Sequence, residues 1–277
     1  MYDAIVIGGG PAGLQAALTL GRMHRRVLLL DSGEYRNATV EHAHNLLTND
    51  GRDPAELRAL ARAELREYTT VEVRQDAVES VSGTAGDFSV TTAHGTERAR
   101  RLILATGVRD ELPPVPGLAE QWGRRVAQCP FCHGHEFAGE VIGVAVAGEH
   151  AEMIERMLRP VGSAVVLVPP AELAAVHTVD DGLELERTDG TREHVAGLFI
   201  SPTPHQRAPF AAQLGCGILP SGGVEIDGFG RTTVPGVYAA GDMAHTSAMP
   251  GPLVSLAAAI AAGQVAAAAV VRELIAD

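Results

Sequence analysis

The sequence predicts an α/β fold with two Rossmann-like units of the three-layer ββα type. Three observations point to it. Two separate stretches each alternate a short apolar run, a helix-length run and a second apolar run; strands buried on both faces of a parallel sheet read this way. A Pro/Gly-rich joint, Leu112-Pro113-Pro114-Val115-Pro116-Gly117, stands between the two stretches, and Ser201-Pro202-Thr203-Pro204 marks a second joint. The length, 277 residues, exceeds one ordinary core and suits two domains or one with an insert.

The elements follow in order. Residues 3–8 form an apolar strand, 11–23 a helix and 26–31 a second strand, which is one βαβ unit. Residues 39–49 are polar and loop-like. Residues 54–68 predict an amphipathic helix with Leu57, Leu60, Ala61 and Leu65 on one face and a solvated charged face opposite. Residues 71–81, 87–92 and 97–104 read as strands joined by Gly-containing turns. The second βαβ unit comprises 141–147, 150–158 and 164–168. A hairpin is expected over 183–200, turning at Asp189-Gly190. A Gly-rich segment (222–230), a strand at 236–240 and an alanine-rich helix close the chain.

Composition narrows the function classes. Hydrophobic residues make up 46% and charged residues 20%, a globular balance. The net charge of −12, from 22 Lys+Arg and 34 Asp+Glu, repels phosphate backbones and anionic bilayers, so neither nucleic acid nor membrane is expected as a partner. The uncharged run 253–271 is mostly alanine and holds Ser255, Gly263 and Gln264, which favours a buried helix over a membrane span. The first residues lack the pattern of an export signal, and a cytoplasmic location is expected. Three cysteines exclude a disulfide-built scaffold.

The first βαβ unit carries Gly8-Gly9-Gly10-Pro11-Ala12-Gly13 between its strand and its helix. Gly8 permits the tight turn, Gly10 lets backbone N–H groups approach a pyrophosphate, and Gly13 lets the helix lie close on the strand. Asp31 ends the second strand, where a carboxylate takes a ribose hydroxyl pair. Two further segments favour FAD over NAD as the dinucleotide: Ala105-Thr106-Gly107 after a strand, and Gly241-Asp242 between a strand and a helix, where the acid meets a ribitol hydroxyl. Read alone, Asp242 is equally an ordinary helix cap.

Cys129-Pro130-Phe131-Cys132-His133-Gly134-His135-Glu136 is the chemical centre. The spacing suits a redox dithiol, with His133 as proton donor and acceptor. A zinc site is disfavoured because His133 and His135 are too close and a second Cys pair is lacking. Attached haem and inert buried thiols are weaker alternatives. Cys216 reads as structural. Of the remaining histidines, His42 and His44 draw interest because they lie in the loop after the second strand.

These motifs together resemble the thioredoxin-reductase-like class of flavoprotein disulfide oxidoreductases. The stretch from Asp31 to Asn37 and Cys-Pro-Phe-Cys-His-Gly are similar to the subgroup that includes dithiol oxidases of the gliotoxin and holomycin type. The resemblance implies a discontinuous FAD-binding domain (1–111 and 204–277), an inserted domain (112–203) with a degenerate NAD(P)H-binding fold, tightly bound FAD and a homodimer. It implies that Cys132 faces the flavin while Cys129 exchanges with substrate, and it adds Ser32, Arg36, Asn45 and Val78 to the cofactor-binding residues. The partner is then a small-molecule dithiol or a thioredoxin-like protein, with dioxygen or a redox carrier at the other end. The sequence departs from that class in the inserted domain. The second glycine fingerprint is replaced by Val146-Ala147-Gly148-Glu149-His150-Ala151, and no basic cluster follows the next strand, which reads Leu167-Val168-Pro169-Pro170. The expectation is therefore a FAD-dependent thiol–disulfide oxidoreductase that binds NADPH poorly. The rivals are an NADPH-dependent thioredoxin or small-disulfide reductase and a non-catalytic flavin-binding protein.

Overall fold

The computed structural model describes residues 1–276. In chain order the first elements are β1 (Tyr2–Ile7), α1 (Pro11–Arg22), β2 (Val27–Asp31), α2 (Pro54–Leu65), β3 (Val71–Gln75), β4 (Val78–Thr84), β5 (Asp87–Thr92), β6 (Gly95–Leu104) and β7 (Val108–Glu111). Next come β8 (Val126–Ala127), α3 (Pro130–His133), β9 (Val141–Ala145), α4 (Gly148–Leu158), β10 (Ala164–Leu167), β11 (Leu173–Val179), β12 (Gly182–Arg187), β13 (Arg192–Val195) and β14 (Gly197–Ile200). The chain ends with β15 (Thr203–Gln206), α5 (Phe210–Gln213), β16 (Val224–Glu225), β17 (Val237–Ala239), β18 (Ala244–His245) and α6 (Leu256–Ala276). Two compact units result. One comprises Met1–Ala38, Ala55–Arg109 and Pro204–Asp277; the other comprises Thr39–Pro54 and Asp110–Thr203.

The first unit is built on a sheet ordered β3-β2-β1-β6-β5-β4, with β17 also paired to β6. The parallel strands β1, β2, β6 and β17 meet in register, Ile5 opposite Leu28 and Leu102, and Val237 opposite Leu102. Their side chains are apolar on both sides because both faces are covered: one by α1 and α6, the other by Phe88, Val90, Phe210 and their neighbours. The second unit has a parallel sheet ordered β10-β9-β14-β8 and an antiparallel sheet ordered β11-β12-β13. The predicted α/β class is the one observed.

Two expectations change in detail. The single strand expected over 71–81 is two: β3 pairs parallel with β2, and β4 pairs antiparallel with β5. The chain breaks at Asp76 to leave one edge of the sheet for the other, and the buried Asp76 carboxyl is held below the usual range by the Thr92 hydroxyl and by His94. The hairpin expected over 183–200 is real only as β12–β13. Gly197–Ile200 departs to the parallel sheet beside β9, and β12 takes β11 as its other neighbour. A continuous apolar run carries no sign of which sheet claims it.

The alanine-rich helix α6 is long and apolar enough to cross a membrane by length and composition, yet 44% of its most apolar window is buried within the protein. Small residues let it lie against α1. A Cβ at Gly263 would collide with the Ala12 backbone carbonyl in the first turn of α1. The far end of α6 is tied to the sheet by Glu273, which accepts hydrogen bonds from Arg101 on β6 (3.0 Å) and from Arg231 (3.2 Å). Burial alone would raise the Glu273 carboxyl; the Tyr238 hydroxyl and the Arg101 and Arg231 guanidiniums outweigh it and hold the carboxyl below its usual range.

Two predictions follow from this packing. In an open helix interior Gly→Ala gains up to about 1 kcal/mol from propensity. At Gly263 the clash reverses that sign, and Gly263→Ala is expected to lower the urea midpoint, by about 1–3 kcal/mol in unfolding free energy. Glu273→Gln is expected to destabilise the fold at neutral pH. Because the folded carboxyl is depressed, its contribution is present above the unfolded value and lost as pH falls through the folded one. The deficit of the variant in denaturant melts should therefore shrink below pH ~4.

Candidate active site

In the first unit, the strand ends converge on the start of α1. The Gly8 N–H donates to Leu30 and the Ala105 N–H to Ile7, which puts the β1 and β6 turns side by side. Gly8 has φ +117°, and a Cβ there would strike the Ala105 carbonyl; a Cβ at Gly13 would strike the Gly8 carbonyl. Gly10 caps α1 with no side-chain hydrogen bond, Pro11 opens the helix, and no acid stands in its first turn. Nothing lies within 4 Å of a Cβ built on Gly10 or on Gly107. The helix start thus presents donors and partial positive charge toward open space, the requirement for a pyrophosphate. Gly241, at φ +83°, brings the turn after β17 against Ala12. Beside it, Asp242 pairs with Arg36 at 2.8 Å, and the Thr106 hydroxyl lies 3.4 Å from the Met243 sulfur. Gly8, Gly10, Pro11, Ala12, Gly13, Ala105, Thr106, Gly107, Gly241, Asp242 and Arg36 therefore belong to one neighbourhood, and they fit a dinucleotide.

Asp31 is buried and engaged. Its Oδ1 accepts the Gly33 N–H, and its Oδ2 accepts the Tyr35 hydroxyl at 2.6 Å and pairs with Arg62. The charged face of α2 is not simply solvated. Arg58 is buried, stacks with its guanidinium 3.8 Å from the Tyr35 ring centroid and donates to Asn37 at 3.1 Å, while Arg62 turns in to Asp31. Sequence reading missed Tyr35, Arg58 and Arg62; the i, i+4 spacing of the two arginines was the available signal. Ser32 is exposed, and its Oγ accepts the Glu34 N–H at 3.4 Å. Val78 opens β4 opposite Thr92.

In the second unit, Cys129 and Cys132 form a disulfide with Cα atoms 5.3 Å apart. Cys129 precedes α3 and Cys132 lies within it, with Pro130 at the helix start. The Cys132 and His133 N–H groups both point to the Cys129 carbonyl. Between the two cysteines in sequence, Phe131 is 70% exposed. Directly after Cys132, His133 is largely buried, and its Nδ1 has no hydrogen-bond partner. Burial pushes its imidazole below the ordinary value; Glu136 pulls upward, and His44 adds to the lowering. The neutral ring is therefore the favoured form. The same unit holds the hairpin 39–54, which contains Asn45 in a left-handed conformation (φ 60°) with its N–H bound to Asp50 Oδ1. His44 lies 3.4 Å from Glu136 and 3.6 Å from Asp50. The sequence places Glu136 in the cysteine stretch but gives it no role.

The nucleotide-like turn of this unit runs from β9 into α4. Val146 is buried, Ala147 caps the helix with no side-chain bond, Gly148 takes φ +63°, and Glu149 stands in the first turn. Arg187 reaches the end of β10, where it donates to the Leu167 carbonyl, but it is already paired with Glu172 (2.8 Å) and Glu193 (3.5 Å). Among the described residues no group of three His, Cys, Asp or Glu side chains is arranged to hold a metal. Cys216 is free and buried, and its burial pushes the thiol up.

The chain is similar to known proteins along its length. "Probable thioredoxin reductase" of Arthroderma benhamiae is 43% identical over 150 residues, 52% of this chain and 37% of that one. "Thioredoxin reductase sirT" of Leptosphaeria maculans is 34% identical over 285 residues, covering 88% of this chain and 87% of that one. The crystal structure of an oxidoreductase from Agrobacterium tumefaciens superposes with a TM-score of 0.91 at 34% identity, covering 99% of this chain and 98% of the other. The model of the pyridine nucleotide-disulphide oxidoreductase family matches residues 2–148 and 138–266. With a dinucleotide cradle in one unit and a cysteine disulfide in the other, the chain belongs to that family, as a thioredoxin-reductase-like disulfide oxidoreductase whose family cofactor is FAD.

Proposed function

We propose that the protein is a FAD-dependent thiol–disulfide oxidoreductase that moves electrons between a substrate dithiol or disulfide, the Cys129–Cys132 pair and FAD, without efficient use of NADPH. The observation that carries the NADPH part is the turn into α4. The buried Val146 fills the place of a turn glycine, and the Glu149 carboxylate meets the helix start that a pyrophosphate would need. Arg187, tied to two carboxylates, offers little to a 2′-phosphate.

FAD, when bound, supplies a two-electron partner for the sulfur pair. The residues that would hold it are Gly8, Gly10, Pro11, Ala12, Gly13, Asp31, Ser32, Arg36, Asn45, Val78, Ala105, Thr106, Gly107, Gly241 and Asp242. At the sulfur pair, a substrate thiolate attacks Cys129, Cys132 leaves as thiolate, and a second substrate thiolate resolves the mixed disulfide. His133 takes the proton of each incoming thiol and returns one to a leaving sulfur. The neutral state imposed by burial suits it to accept a proton at pH 7. The same reading includes a homodimer, a small-molecule dithiol or thioredoxin-like protein as partner, and dioxygen or another redox carrier at the far end. It also places the protein in the cytoplasm, with no nucleic acid or membrane as partner.

Three outcomes test this reading. Anaerobic stopped-flow mixing of the yellow holoenzyme with NADPH should leave the flavin band nearly unbleached while a dithiol bleaches it; fast bleaching by NADPH would instead favour an NADPH-dependent reductase. Cys132→Ser should abolish dithiol turnover, and any retained turnover would move the chemistry elsewhere. Because burial lowers the His133 value, the acid limb of the thiol-oxidation rate should lie below the ordinary histidine range, and His133→Asn should remove it.

A further inference from the structure

Around His133 the structure holds more titratable groups than the exchange chemistry uses. Glu136 follows His133 by three residues, in a short 3-10 turn (His135–Phe137) continuing from α3, a spacing that keeps the two on one side. Its Oε1 lies 3.4 Å from Nε2 of His44, whose other nitrogen, Nδ1, lies 3.6 Å from Oδ1 of Asp50. His44 is thus flanked by a carboxylate on each ring nitrogen. Side-chain exposure runs from 23% at His44 and 33% at Glu136 to 70% at Asp50, so the outer end of the chain of groups is in water.

The backbone that presents His44 is over-determined. Ala43 and Arg52 form an antiparallel bridge, the Gly51 N–H donates to Ala43, and the Asn45 N–H donates to Asp50 at 2.7 Å. Asn45 and Thr48 both take positive φ (60° and 69°), a conformation side chains rarely adopt, which persists only where the surroundings enforce it. At the inner end, the buried Nδ1 of His133 lacks a partner, a state that calls for a reason. An incoming thiol would satisfy it.

We propose that Glu136, His44 and Asp50 form a relay that carries protons from His133 to solvent during thiol–disulfide exchange. This rests on the reading of Cys129–Cys132 as the exchanging pair. Glu136, His44 and Asp50 act through His133 and are positioning residues. With dithiothreitol the step balances as follows. One thiol loses its proton and attacks a sulfur of the pair, the Cys129–Cys132 bond breaks, and a mixed disulfide forms. The second thiol loses its proton and attacks the mixed disulfide, giving cyclic oxidised dithiothreitol and two reduced cysteines. Two electrons go to the pair; of the two thiol protons, His133 returns one to the leaving Cys129 sulfur, and the other passes outward through Glu136 and His44, leaving Cys132 as the thiolate.

The test mixes oxidised holoenzyme with dithiothreitol anaerobically in weak buffer, quenches with an alkylating reagent and counts labelled Cys129 and Cys132 by mass spectrometry. His44→Ala is expected to slow labelling roughly tenfold, a modest share of general acid–base effects. Added imidazole should restore it, while Glu136→Asp should retain most of the rate. His44→Gln, with its unfolding midpoint measured alongside, replaces His44→Ala should that variant fold poorly. A His44 variant as fast as wild type, or one slowed with no recovery in imidazole, overturns the relay. A wild-type pair that dithiothreitol does not reduce would overturn the exchange reading itself, whatever His44 does.

Discussion

The chemistry depends on the burial of one imidazole beside the Cys129–Cys132 disulfide: His133 follows Cys132 directly and has a nitrogen that water does not reach. Burial costs the charged form of the ring, which favours a neutral His133 next to the sulfurs, with a nitrogen free to take a proton. Everything around it serves that condition. The α3 turn fixes the two cysteines within bonding reach, and Gly134 permits the tight exit, since a Cβ there would meet the Pro130 carbonyl. The charges that act on the ring, Glu136 and His44, come from a neighbouring turn and from a hairpin far away in sequence.

The cradle in the first unit is shaped by the opposite need, backbone donors without competing side chains. Close approach between small residues achieves this: α6 on α1 at Gly263, α1 on β1 at Gly13, and the β17 turn on Ala12. The low aromatic content and the 31 glycines of the sequence are the compositional trace of that packing. The two charged groups at the cradle, Arg36 and Asp242, neutralise each other.

Much of this was legible in the sequence because the signals were local. The glycine pattern, the Cys-x-x-Cys-His stretch and the two βαβ units each depend on residues within one turn or one crossover. What was not legible depended on distant partners. The apolar run Gly197–Ile200 looked like the end of a hairpin because sheet membership is decided by tertiary contact. The arginines of α2 looked solvated because their targets, Asp31 and Tyr35, lie outside the helix. Glu136 stood in the cysteine stretch without a role because its partner, His44, stands 92 positions earlier in the chain.

The most direct measurement is an anaerobic reductive titration of the purified holoenzyme with dithionite, following the flavin spectrum. A redox-active Cys129–Cys132 pair predicts uptake of one two-electron equivalent by the flavin and a second by the sulfurs, the second lost in Cys129→Ser/Cys132→Ser. Uptake by the flavin alone, equal in wild type and the double variant, would contradict the account.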